Sequence, residues 1–386
     1  MNYVVLSPQF PPNYVAFSQH LRRMGVTVLG LGDEPFERLP VELRQAMNEY
    51  YRVTDLHKYD ELVRGLGYLT HRYGKLDRLE SHNEYWLETD AQLREDFNIT
   101  GLRPAHLAAI KRKSEMKRIF VQNGIPAARG CVCRSLAEGL KLASETGYPL
   151  VAKPDIGVGA NKTYKIRSET DLEMFFEVKP PVDYMLEEFI HGALMTYDGL
   201  VDANGQVVFS SAMLFSGGIM EMVNEGLDLW YYTLRDVPVE LDALGRKLVD
   251  VYGLRERFFH FEFFYTSSGK YIILEVNMRP PGGLTTDMWN YANDIDIYAG
   301  YASMVTQGGF PYEARRPYHC AYVGRRSGRT YALTHAEVLE ACGDLLVQYE
   351  PISGIFAPAL GDFGYVLRTP NLEVLRAGIQ KIQQKF

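Results

Sequence analysis

Two carboxylates, an amide and a guanidinium stand at spacings that suit chemistry: Glu262 within RFFHFEFFYT, and Glu275, Asn277 and Arg279 within LEVNMRPPGG. The last three occupy alternate positions, and alternate residues of an extended chain point to one face. A face carrying two carboxylates, an amide oxygen and a guanidinium is costly to bury without a ligand. Hard oxygen donors of this kind suit Mg²⁺ bridging nucleotide phosphates. Arg suits the charge that develops as a phosphoryl group moves. The competing reading is an exposed, salt-bridged sheet face. The apolar flanks argue against it, because Phe259, Phe261 and Phe263 on one run and Ile272, Ile273 and Leu274 on the other are too hydrophobic to lie in water.

The elements that must position these groups follow from patterning. Phe259–Tyr265 alternates, Ser267-Ser268-Gly269 turns, and Tyr271–Asn277 returns, which predicts an antiparallel hairpin. Upstream, Tyr148–Pro154 is an apolar strand that carries Lys153 and runs into a loop bearing Gly157 and Gly159. A strand ending in Lys and then a Gly-bearing loop supplies a point charge and free amides for phosphates. Ser135–Glu138 and Ser168–Asp171 read as N-terminal helix caps, so 125–187 predicts strand, helix, strand, loop, strand, helix. The segment Pro104–Gln122 reads as a basic helix with Lys111, Lys113 and Lys117, which by default form a solvated face.

At the N-terminus, a strand at Tyr3–Leu6, a helix at Val15–Met24 and a strand at Val26–Leu31 predict a parallel β-α-β unit without a G-x-G-x-x-G fingerprint. A helix at Tyr59–Tyr73 and a strand at Leu76–Glu80 follow, so Ser81–Glu84 falls at a strand's carboxyl end, where open α/β sheets bind ligands. His82 or Glu84 at a substrate is one reading; helix capping by Ser81 or Asn83 is the other. Further on, Asn204-Gly205 marks a hairpin between Tyr197–Asp202 and Gln206–Phe209. Ser216–Tyr232 reads as irregular, Leu241–Tyr252 as a helix, 285–310 as a helical layer and Leu372–Gln384 as an amphipathic helix. Arg325, Arg326 and Arg329 are expected in solvent by default, with a substrate carboxylate as their alternative partner.

A chain of 386 residues exceeds one ordinary core, so two or three lobes are expected. Its 46% hydrophobic and 23% charged content describes an ordinary soluble globular protein, and a net charge of −7 argues against nucleic-acid partners. No apolar run reaches membrane length and MNYVVLSPQF lacks a basic region with an apolar core, so a cytoplasmic location and no membrane partner are expected. Cys131, Cys133, Cys320 and Cys342 match neither a metal nor a disulfide pattern; Cys131 and Cys133 share a strand face and read as packing residues.

Glu262 with Glu275-x-Asn277-x-Arg279 resembles the metal site of the ATP-grasp superfamily, and further pieces of that family follow the same order from about Lys111 onward. KSEMKRIFVQNGIPAA resembles the entry to its nucleotide lid, and MLEEFIHG resembles its adenine hinge. The resemblance implies an α/β (α+β) ATP-grasp fold. It divides the chain into an N-terminal parallel α/β domain over 1–105, a linker helix and small nucleotide lid over 106–187, and an antiparallel-sheet catalytic domain with a C-terminal extension over 188–386. ATP and Mg²⁺ (or Mn²⁺) are the implied cofactors, with Glu262, Glu275 and Asn277 on the metal and Arg279 catalytic.

In the same reading Lys113, preferred over Lys117, and Lys153 neutralise phosphates under Gly157 and Gly159, while main-chain groups of Glu187, Glu188 and Ile190 hold adenine. Lys162 is read as a surface lysine. Many members place a ribose-binding Glu where this chain has Leu194, leaving Glu187 as a substitute candidate. Gly282 and Gly283 after Pro280-Pro281 expose amides to a substrate carboxylate, with Glu84 a further substrate contact. The implied activity is an ADP-forming carboxylate–amine ligase acting on an amino acid or similar small acid and an amine, and the resemblance allows a homodimer. A carboxylating or purine-pathway-like enzyme is disfavoured because no biotin-attachment motif is visible. A catalytically inactive ATP-binding regulatory protein is disfavoured by the intact Glu262, Glu275, Asn277 and Arg279.

Overall fold

The computed structural model describes residues 1–157, 162–313 and 315–386. Its strands form three sheets. The first contains β1 (Asn2–Leu6), β2 (Thr27–Gly32), β3 (Glu49–Arg52) and β4 (Arg78–Glu80), in the order β3-β2-β1-β4 and parallel throughout. Helices Val15–Arg23 and Tyr59–Tyr73 follow β1 and β3, as the β-α-β pattern requires. β4 is shorter than expected, because Leu76 and Asp77 precede the ladder with β1. The chain turns to one side of β1 to make β2 and to the other to make β4, so the loops after β1 and β4 flank a switch point.

The second sheet contains β5 (Gly130–Val132), β6 (Leu150–Pro154), β7 (Tyr164–Ile166) and β8 (Tyr184–Glu188), in the antiparallel order β5-β8-β6-β7. Helices Leu136–Thr146 and Glu169–Val178 cover one face over a core that includes Leu150, Ile166, Leu172 and Tyr184. Ser135 accepts from the Glu138 amide and Ser168 from the Asp171 amide, so both caps form as their sequence pattern predicts. The sulfurs of Cys131 and Cys133 lie 3.7 Å apart on one face, but Cys131 sits on the edge strand and is exposed. The packing reading therefore holds for Cys133 alone.

The expected single helix over Pro104–Gln122 is two helices, Pro104–Lys111 and Lys113–Gln122, broken at an extended Arg112. Asp155 supplies the reason. Its carbonyl accepts the Lys113 amide at 2.9 Å and its carboxylate the Ser114 amide at 2.8 Å, capping the second helix from the neighbouring sheet.

The third sheet has eight antiparallel strands: β9 (Gly192–Val201), β10 (Val207–Phe215), β11 (Trp230–Thr233), β12 (Arg257–Thr266), β13 (Tyr271–Asn277), β14 (His319–Arg325), β15 (Leu346–Pro351) and β16 (Phe363–Thr369). They run in the order β13-β12-β9-β10-β11-β14-β16-β15. The β12–β13 hairpin forms as patterned, and the β9–β10 hairpin extends well beyond its predicted ends. The segment Ser216–Tyr232, expected to be irregular, contains a helix at Ile219–Asn224 and enters β11, whose aromatic residues pack against Tyr322 and Phe215.

Arg325 is also a correction. It is 8% exposed and donates to the Ile382 and Leu333 carbonyls at 2.6 and 2.9 Å, holding the helix Leu372–Gln383 against the sheet. Arg326 donates to the Leu227 and Pro358 carbonyls, and Arg329 pairs with Asp228 at 3.1 Å. Among the described residues, no helix is long and apolar enough to cross a membrane.

Candidate active site

Strand register brings the polar residues of three strands onto one face of the large sheet. Glu262 of β12 lies opposite Glu275 of β13 and Thr196 of β9; His260 lies opposite Asn277 and Asp198. Two rows result, Thr196-Glu262-Glu275 and Asp198-His260-Asn277, side by side. Arg279 stands two residues past the end of β13, with its Nε 3.4 Å from Glu84 Oε2 and its Nη1 donating to the Pro280 carbonyl at 2.9 Å.

A cavity of about 450 Å³ opens between this face and the second sheet. Of the residues expected at a site, Lys113, Lys153, Glu187, Glu188, Ile190, Glu262, Glu275, Asn277 and Arg279 all line it. Gly157 sits at its margin through its carbonyl, which accepts from Lys113 Nζ at 3.0 Å. Gly159 lies outside the described residues. Glu84 reaches the site through Arg279. Gly282 and Gly283 follow Arg279 in a turn packed beneath Phe356 and Leu360; Gly283 has φ +65°, and a Cβ there would stand 2.5 Å from Leu360. His82 is instead half-buried among aromatic rings, stacked 4.4 Å from Phe17, and desolvation lowers its pKa to about 4.

The charges are arranged in layers. Burial raises the pKa of Glu187, but Lys153 and Lys117 outweigh it and hold the carboxylate below the usual range. Lys117 thus spends its charge on Glu187, at 2.8 Å, while Lys113 faces the cavity. Burial also raises Glu262, yet the hydrogen bond and charge of His260 leave it lowered. Glu275 is raised, by burial first and by the Glu262 charge against the pull of Lys113 and Lys153. Two facing carboxylates are therefore driven in opposite directions by their surroundings. His260 is pushed up to about 9: burial lowers it, and Asp198 and Glu262 more than compensate.

No family model matches the chain. It is 24% identical over 245 residues to an L-arginine-specific L-amino acid ligase from Bacillus subtilis, covering 59% of each chain. It also matches the carbamoyl phosphate synthase large chain of Xylella fastidiosa, 28% identical over 132 residues, which is 33% of this chain and 12% of that one. The chain thus spans less than two thirds of the length of these curated relatives. The solved L-amino acid ligase from Bacillus licheniformis superposes with a TM-score of 0.76 at 17% identity, over 99% of this chain and 96% of that one. N5-carboxyaminoimidazole synthetase from Staphylococcus aureus gives 0.72 at 16% identity, over 99% and 97%. Both neighbours are ATP-grasp enzymes.

The chain has the ATP-grasp fold. The fold class read from the sequence is borne out, with its parallel N-terminal sheet, small lid and large antiparallel sheet.

The segment expected to be the hinge runs from β8 into β9. The Glu188 amide donates to the Arg129 carbonyl at 2.9 Å and the Phe189 amide to the Pro149 carbonyl at 3.1 Å. Among the described residues the Ile190 amide has no protein acceptor, so it is open to a ligand. Leu194 is buried in the cavity wall, and the Glu187 carboxylate, the substitute candidate for ribose, is committed to its two lysines. Lys165 Nζ lies 3.7 Å from the Phe189 ring centroid and lines the same cavity, a contact that pattern reading missed.

Mg²⁺ fits the donor set of this cleft. Among the described residues the side chains of Glu275 and Asn277 have no hydrogen-bond partner, although Asn277 is buried. No group of three or more His, Cys, Asp and Glu residues suited to a metal occurs among the described residues. The available set is two carboxylates and an amide oxygen, which suits a hard cation that keeps part of its water and completes its shell with phosphate. Sequence reasoning also missed His260 and Asp198. His260 shares the period-2 face of Glu262 and was legible; Asp198, 62 residues away in sequence, was not.

Proposed function

We propose that the chain is an ATP-dependent, ADP-forming ligase that activates a carboxylate as an acyl phosphate and joins it to an amine. The observation that carries this reading is one cavity lined by Lys113, Lys153, Ile190 with its unpaired amide, Glu262, Glu275, Asn277 and Arg279 together. An amino acid as one substrate is supported by two similar proteins, both L-amino acid ligases.

In this reading the Ile190 amide orients adenine, and the two lysines offset phosphate charge within a partly desolvated cleft. Glu262, Glu275 and Asn277 would hold Mg²⁺, which when bound supplies neutralisation of charge on the phosphates. The substrate carboxylate oxygen attacks the terminal phosphorus and ADP leaves. The amine, arriving neutral, attacks the acyl carbon, phosphate leaves, and the nitrogen gives up a proton. Arg279 stabilises charge on the transferring phosphoryl group and on the tetrahedral adduct. Glu84, beside Arg279, and the amides of Gly282 and Gly283 are the proposed acceptor side of the site, where a carboxylate could meet an ammonium and the turn a substrate carboxylate.

ADP release from the full chain, measured with Mg²⁺ against a panel of acids and amines, tests the reading. Release that requires both an acid and an amine is expected, with an amide product at equal yield. Release driven by bicarbonate would replace ligation with carboxylation. Nucleotide binding without release under any pairing would overturn catalysis.

A further inference from the structure

Asp198 and His260 lie outside the cavity lining but on the same sheet face as the candidate metal ligands. His260 Nδ1 is 2.5 Å from Asp198 Oδ1, and its Nε2 is 3.2 Å from Glu262 Oε1. The other Asp198 oxygen accepts the Thr196 hydroxyl at 2.6 Å. Asp198 and Thr196 are fully buried at 0% exposure, and His260 is 7% exposed. Buried polar groups of this kind hold their geometry because an unmade hydrogen bond there is expensive.

Both neighbours of the imidazole are carboxylates, one at each ring nitrogen. The two nitrogens are therefore occupied within the protein, and neither is left for a cation. His260 stands between the candidate ligands in register, opposite Asn277 and two residues from Glu262, yet it cannot itself be a ligand in this arrangement. What it does instead is occupy one Glu262 oxygen. Oε2 of Glu262 has no protein partner among the described residues.

We propose that Asp198 and His260 form a positioning pair for Glu262: Asp198 fixes the ring, the ring holds Glu262 Oε1, and Oε2 alone is presented to the cation alongside Glu275 and Asn277. The proposal rests on the ligase reading in one respect, the Mg²⁺ site at Glu262. A hydrogen-bonded support behind a ligating carboxylate orients it and sets its affinity for the metal. The ring also stands between two carboxylates, Asp198 and Glu262, on one sheet face.

ADP binding to the full chain, followed by calorimetry across a Mg²⁺ series, reads the effect without turnover. D198N keeps the side-chain shape but replaces the carboxylate that holds Nδ1 by a neutral amide, so the ring is less firmly fixed and its contact with Glu262 is weakened. The Mg²⁺ concentration for half-maximal enhancement of ADP affinity is expected to rise roughly 10–100-fold, with metal-free ADP affinity unchanged. The double variant D198N/E262Q is expected to lose no more than E262Q alone, because both changes remove one arrangement. H260Q, which can still donate toward Glu262, is expected to retain more Mg²⁺ enhancement than H260L, and this comparison decides the matter where D198N folds poorly.

A wild-type Mg²⁺ requirement in D198N, losses that add in the double variant, or equal behaviour of H260Q and H260L would overturn the positioning pair alone. Absence of any Mg²⁺ enhancement in the wild type would overturn it together with the metal assignment of the ligase reading.

Discussion

Arg279 is held by two unlike partners, the Glu84 carboxylate at 3.4 Å and its neighbour's carbonyl at 2.9 Å. Glu84 Oε2 is buried and makes no hydrogen bond, so the pair is close enough for attraction and has not reached an ideal fork. A guanidinium left partly uncommitted at a cavity wall is suited to charge that appears only during reaction. The lysines, by contrast, would meet phosphate already present in the bound nucleotide. Arg279→Lys retains the charge and discards the planar fork. Its expected outcome is ADP affinity close to wild type with kcat reduced roughly 10²–10³-fold, the scale of one lost transition-state donor. Calorimetry and steady-state ADP release measure the two halves. A large loss of affinity with kcat preserved would move Arg279 from the reaction centre to the nucleotide pocket.

Among elements, β9 supports the site from behind, because it carries Asp198 and Thr196 on one face and must pack tightly on the other. Tyr197 points to that other face, beneath the helix Val239–Val251, and its hydroxyl donates to Asp242 at 2.7 Å. Gly245 of the helix crosses the Tyr197 ring so closely that a Cβ would lie 2.0 Å from it. Replacing a helical Gly by Ala ordinarily gains about 1 kcal/mol of propensity. Here the anchored ring cannot swing away, and overpacking at so close an approach costs toward the upper end of roughly 1–3 kcal/mol, more than the gain. Gly245→Ala should therefore destabilise the chain in urea unfolding. A stabilised variant would show that the helix slides freely on β9 and that packing does not fix the Asp198 row.

At the scale of the molecule, the N-terminal sheet is joined to the large sheet through buried charge. Glu80, at the end of β4, is ion-paired with Arg94 at 2.8 Å and accepts from Arg257 of β12 at 2.5 Å. Arg257 also donates to the Met278 carbonyl at 3.1 Å, between Asn277 and Arg279. Burial raises the Glu80 pKa, and the two arginines bring it net below the ordinary value. Glu80→Gln keeps the volume and strands buried cations, which costs roughly 3–5 kcal/mol. Chemical unfolding with a loss below about 1 kcal/mol would show that water or Asp90 replaces the carboxylate and that the strut is not rigid.

Local pattern by itself determined the parts of this protein that depend on a few consecutive residues. The alternation on either side of Ser267-Ser268-Gly269 specified the β12–β13 hairpin, and with it the shared face of Glu275 and Asn277. The caps at Ser135 and Ser168 specified where the lid helices begin. Apolar strand followed by Lys153 placed a cation at the mouth of a loop, and the order of these pieces was enough to indicate the fold. Groups brought together across long separations were decided only by tertiary structure. Asp155 breaks a continuous basic helix at Arg112 because its capping groups arrive from another sheet. Lys117 and Lys113 have the same local environment in sequence, yet one meets Glu187 and the other the cavity. Arg325 seemed a surface residue until the C-terminal helix presented carbonyls to it. Asp198 reaches His260 because β9 inserts between β10 and β12, a pairing that period-2 patterning leaves open. Short-range propensity selects elements and faces, whereas register between distant strands is set by the packing of whole layers, and the support behind Glu262 is a product of that register.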